Sequence, residues 1–167
     1  LDEFVRLLPN SDLMILGDLF DKENIPIVDV LHTYIALKSW LNKGYNKLFL
    51  VAGNHDLSKT SSTMSSFDFL CKLLTEAAPT LVTTIHKGCM TEYGYVIPHV
   101  ANQDLFDLEL SKVPKCGNLF LHCNYNNYFA VQLDQSLNLS AEVAESLPVD
   151  RIIIAHEHGA KKAGKVV

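Results

Sequence analysis

The chain has 167 residues, of which 48% are hydrophobic and 20% charged, and a formal net charge of −5. That is enough length for one domain with a real core, and the balance excludes an intrinsically disordered chain. The acidic sign argues against a broad basic surface for nucleic acid, and no apolar run approaches the length needed to span a bilayer.

Residues 2–8 read as the end of a helix that Pro9-Asn10 stops. "DLMILGD" (12–18) is a short apolar run closed by Gly-Asp, which predicts a buried parallel strand. Asn24 offers an N-cap and Pro26 a first-turn residue. Val30, Tyr34, Leu37 and Leu41 then keep helical spacing up to Gly44. "KLFLVAG" (47–53) is a second buried strand, followed by a Ser/Thr-rich loop over 57–66. The spacing predicts a helix over 67–77, with Phe67, Leu70, Cys71 and Leu74 on one stripe, and a strand over 80–85.

Residues 88–99 form a hairpin pattern that pivots at Glu92–Gly94. "NLFLHCN" (118–124) and "RIIIAHEH" (151–158) are two more buried strands. A short helix over 140–147, capped by Ser140, lies between them. Strands alternating with helices predict one α/β domain with a largely parallel central sheet. The four cysteines (Cys71, Cys89, Cys116, Cys123) contain no CxxC pair, which predicts reduced thiols and a cytoplasmic location.

Four of these strands end in polar side chains: Gly17-Asp18-Leu19-Phe20-Asp21, Gly53-Asn54-His55-Asp56, His122, and His156-Glu157-His158. In open α/β sheets, ligands bind just beyond the carboxyl ends of the strands. One such corner is ordinary turn chemistry. Four of them, mixing carboxylate, amide and imidazole, suit a hard or borderline cation. Gly17 and Gly53 would let the backbone turn sharply beneath it.

GDLFD, GNHD, the His of LHC and AHEH, standing in this order over residues 17–158, resemble the calcineurin-like metallophosphoesterase superfamily. The resemblance implies a β-sandwich flanked by helices and two divalent metal ions, with Mn as first choice and Fe or Zn as alternatives. It implies that Asp18 bridges the metals, that Asn54, His122 and His156 bind the second, and that His158 binds the first. It further implies that His55 is the general acid for the leaving oxygen, with Asp21 orienting it. A water ionised between the two cations would then attack phosphorus. Asp21 has an alternative reading as a helix cap. Asp56 reads as a loop stabiliser. Glu157 lies between two ligands and faces away from them. His99 either reaches substrate or is an ordinary loop histidine, and Cys123 points into the core. Lys161, Lys162 and Lys165 either draw a phosphate backbone or form a basic surface turn.

Two features depart from the superfamily pattern. Ala155 replaces the first Gly of GHxH, and no DxH precedes Gly17. With Leu rather than Met at residue 1, the expectation is a piece of a longer protein, cut at its start and after Val167. GDLFD followed closely by Pro26 resembles the DNA-repair exonuclease branch, whereas Lys22-Glu23 stands where the protein Ser/Thr phosphatases carry Arg-Gly. The leading expectation is a two-metal phosphodiesterase, a DNA exonuclease in particular. The alternatives are a small-molecule phosphodiesterase or phosphatase and a non-catalytic scaffold on the same fold.

Overall fold

The computed structural model describes residues 11–42, 47–58, 63–127, 137–156 and 162–167. The helix expected over 2–8, Gly44, Glu157, His158 and Lys161 lie outside the described residues. The chain divides after Thr84 into two compact units.

The first unit begins with β1 (Leu13–Leu16), then α1 (Ile27–Leu41), β2 (Leu48–Val51), α2 (Ser66–Ala77) and β3 (Val82–Ile85). The strands lie in the order β1-β2-β3, and β1 pairs in parallel with β2, Leu13 opposite Leu48 and Leu16 opposite Val51. β2 is buried at all four positions, as its uninterrupted apolar run predicts. β1 differs from expectation in being only half-buried; among the described residues it pairs on one side alone, with β2.

Helix α1 also starts later than its sequence signals suggest. Pro26 occupies the cap position with φ −52° and ψ 136°, and no side chain caps the helix. Proline disfavours helical backbone in the residue before it, so Ile25 cannot join the helix and Asn24 is too early to cap it. The helix buries Val30, Leu37, Trp40 and Leu41. Trp40 completes a stripe that the spacing of 30, 34, 37 and 41 had left open.

Helix α2 follows expectation closely. Ser65 accepts a hydrogen bond from the Asp68 amide at 3.0 Å, and Phe67, Leu70, Cys71 and Leu74 are buried. Phe67, Leu70 and Leu74 are fully enclosed, each contributing roughly 1.5–3 kcal/mol of hydrophobic stabilisation. The start of α2 also fastens the loop between β1 and α1. The Ile25 amide donates to Ser66 Oγ at 3.0 Å, and the Ser66 amide donates to the Glu23 carbonyl at 2.9 Å.

The second unit holds β4 (Cys89–Thr91), β5 (Gly94–Ile97), α3 (Gln103–Leu110), β6 (Cys116–Tyr125), β7 (Asn138–Leu139), α4 (Ala141–Ser146) and β8 (Val149–His156). β4 and β5 form the expected antiparallel hairpin, with Thr91 opposite Gly94. Gly94 has φ +144°, and a Cβ there would run into the Asn118 carbonyl. β6 is the spine of this unit and pairs in parallel with β5, β7 and β8. Both units therefore have the mixed α/β character and mostly parallel central strands expected, with helices packed against them.

Leu119, Leu121 and Cys123 of β6 face the core with Ile97, Phe106, Leu139 and Ile152. Cys123 is buried, as its alternation with His122 predicts. All four cysteines are free thiols. Among the described residues, no helix is long and apolar enough to cross a membrane.

Candidate metal centre

In the first unit, the polar corners after β1 and β2 are built into one another. Gly17 and Asp18 both take positive φ, 87° and 51°. Aspartate is one of the few non-glycine residues that visit left-handed backbone, so this corner suits the residue that carries the carboxylate. Asp18 Oδ1 accepts a hydrogen bond from the His55 amide at 3.0 Å. The approach is so close that a Cβ on Gly53 would strike both the Asp18 carboxylate and its backbone nitrogen. Gly53 is thus required for space rather than for a turn. Gly17 alone of the two uses its freedom in φ.

Beneath this contact lies Asp56, which is wholly buried. Its carboxylate accepts from the Gly53 amide at 2.9 Å and the Phe20 amide at 3.3 Å. One side chain thus ties the loop after β1 to the turn after β2, in keeping with the reading of Asp56 as a loop stabiliser. Burial pushes its pKa up from 3.8, the nearby Asp18 carboxylate adds to that, and the backbone donors pull the other way. Asn54 is partly buried beside this network, whereas His55 and Asp21 are exposed. Among the described residues, no hydrogen bond joins the Asp21 carboxylate to the His55 ring.

In the second unit, three histidines gather on neighbouring strands. His122 lies on the face of β6 opposite the core and is 2% exposed. Asn124, two residues further on, shares that face; it is buried, and among the described residues its Nδ2 finds no hydrogen-bond partner. His156 ends β8 opposite Cys123, so a regular pleat would turn its ring toward the core. Its backbone breaks that pleat with φ 101°. The ring meets His122 instead, with centroids 5.1 Å apart and planes at 69°. One ring nitrogen of each lies within 4.8 Å of the other. Two imidazoles bound to one ion at its usual Zn–N distance stand roughly 3–4 Å apart, so the pair is close to a chelating arrangement.

The third ring belongs to His99, two residues past β5. Its centroid is 6.3 Å from that of His122, with planes at 88°. The sequence offered no signal favouring His99 over other loop histidines, because its nearness to His122 depends on the parallel pairing of β5 with β6. His32 is exposed on α1, as a solvated helix face requires. Lys165 Nζ donates to the carbonyls of Glu145 and Leu147 at 2.7 Å each, which engages its charge at the end of α4. Lys162 is exposed.

The donor set within each unit suits a divalent transition ion: a carboxylate and an amide oxygen in the first, paired imidazoles in the second. The family model for the calcineurin-like phosphoesterases matches residues 1–160, a span that contains every one of these groups. No curated protein matches the chain.

Proposed function

The chain belongs to the calcineurin-like phosphoesterase family, and from that membership we propose a two-metal phosphodiesterase that cleaves DNA as an exonuclease. The coarser statement, a metal-dependent phosphoester hydrolase, follows from the family itself. The observation that carries the finer reading is the GDLFD stretch with Pro26 close behind it, joined to an Asp18 carboxylate held by the His55 backbone.

The proposed ligands are Asp18, Asn54, His122, His156 and His158. Bound there, paired divalent cations would supply Lewis acidity and a water acidic enough to ionise near neutral pH. The protein's own part is placement and proton transfer. The His55 amide is anchored on Asp18 while its imidazole remains exposed, so the ring is available to protonate a leaving oxygen. A positioned acid of this kind contributes roughly 10²–10⁴-fold. Asp21 is proposed to orient that ring when substrate is present. Four free thiols fit a reducing, cytoplasmic setting.

The test compares the purified protein with its His55→Ala variant in Mn²⁺, on a chromogenic aryl phosphodiester and on single- and double-stranded DNA. A nitrophenolate leaves without help, whereas a sugar alkoxide needs a proton. The reading therefore expects a modest loss on the aryl diester and a loss of about 10²–10⁴-fold on DNA. Equal rates for the two proteins on DNA would remove His55 from the chemistry. Hydrolysis of the aryl diester with no cleavage of either DNA would assign the site to a small phosphoester. No hydrolysis of any substrate, with metal bound, would leave a scaffold.

A further inference from the structure

We propose that His99 is a positioning residue that fixes the ring of His122 for metal binding; this rests on the metal-centre reading above. His122 is buried, so water does not hold its ring in place. The second side-chain torsion of histidine is intrinsically broad and nearly two-fold, so the ring's angle must be set by what packs against it. Two of its neighbours present rings to it. His156 stands 5.1 Å away on one strand, and His99 stands 6.3 Å away on the other, nearly perpendicular. Edge-to-face contact is the arrangement that ring quadrupoles favour, and it resists rotation of either ring.

The route by which the chain delivers His99 is itself stiff. Ile97 ends β5 opposite Leu121 and is fully buried. Pro98 follows, locking its own φ and holding Ile97 extended. Val100, the next residue, packs against the core of the unit. His99 is thus held from both sides, and its ring is set against the residue on β6 that the ligand pattern singles out. His99 itself is only partly buried, so truncating it opens no cavity in the core.

Metal ligands depend on the groups that orient them, and losing such a partner costs about 10–100-fold in affinity. Calorimetric titration of the chelator-stripped protein with Zn²⁺ tests this on wild type, His99→Ala and His99→Phe. The phenyl ring keeps the edge contact and removes both nitrogens. The expected result is affinity about ten-fold weaker for His99→Ala and recovery of most of that loss by His99→Phe, with kcat falling in the alanine variant and KM unchanged. Wild-type affinity in His99→Ala would overturn the proposal. So would equal weakening in both variants, or a rise in KM alone, since each would assign the effect to the imidazole nitrogens meeting a ligand directly. Failure of the wild-type protein to bind Zn²⁺ would overturn the metal-centre reading first, and this proposal with it.

Discussion

Replacing Asp56 by alanine tests the physical basis of the first half of the site. The carboxylate satisfies the Gly53 amide at 2.9 Å and the Phe20 amide at 3.3 Å, both in buried residues. Removing it leaves two donors that neither protein nor solvent can satisfy. Each orphaned buried donor costs about 1–3 kcal/mol, for a gross loss of roughly 2–6 kcal/mol. Part is recovered because an enclosed carboxylate is itself disfavoured, as the upward displacement of its pKa shows. The net expectation is a destabilisation of about 2–4 kcal/mol. With a urea slope of about 2 kcal/mol per molar, the unfolding midpoint should fall by roughly 1–2 M.

The chain provides its own probe for this measurement. Trp40 is its one tryptophan, 3% exposed in the core of the same unit, so fluorescence reports unfolding of the part that Asp56 holds together. A change under about 0.5 kcal/mol, the range of ordinary surface substitutions, would show that the two loops do not depend on this carboxylate.

The remaining expectations concern pH, space and metal. Because the folded-state pKa of Asp56 is raised above 3.8, folding favours the protonated acid. That contribution is complete below 3.8, declines as pH rises through the window above it, and is gone once the folded group ionises. Wild type should therefore lose stability relative to the non-titrating Asp56→Asn as urea midpoints are followed upward from 3.8, and a gain relative to that variant would contradict the assignment. Gly53→Ala drives a methyl group into the Asp18 carboxylate and backbone nitrogen, so Mn²⁺ affinity by equilibrium dialysis should fall about 10–100-fold, and unchanged binding would refute the contact. Divalent metal at one hundred times its dissociation constant should stabilise the stripped protein by about 2.7 kcal/mol, and His122→Ala should lose most of that gain. An equal thermal shift in both proteins would remove His122 from the ligand set.

Much of the fold was legible because it rests on local chemistry. β2 declared itself by an unbroken apolar run, α2 by a stripe of four apolar residues behind a serine, and the β4–β5 hairpin by its turn residues. What escaped depended on partners distant in sequence. Nothing in "DLMIL" says that β1 is only half-buried. Helix α3 has an evident cap, with Asn102 Oδ1 accepting from the Leu105 amide at 2.9 Å, yet it buries only Phe106 and Leu110. Leu105 and Leu108 are exposed, and two inward residues make too short a stripe to separate a helix from a loop. β7 consists of two residues and exists only because β6 is there to pair with.

The candidate site divides along the same line. Residue types and their order singled out Asp18, Asn54, His122 and His156 as candidate ligands and His55 as a candidate acid, because such chemistry is written in side chains. The backbone conformations that aim two of them are not written there. Asp18 with φ 51° and His156 with φ 101° are both non-glycine residues in a region that penalises a Cβ. Asn126, just past the end of β6, shares the conformation with φ 49° and lies outside the ligand pattern, so positive φ does not by itself mark a ligand. At His156 the regular alternative is visible in the register: opposite Cys123, an unstrained pleat would direct the imidazole toward the core and away from His122. The fold accepts a conformation that sequence propensity argues against, and the compensation lies in the ring contacts and hydrogen bonds that surround it.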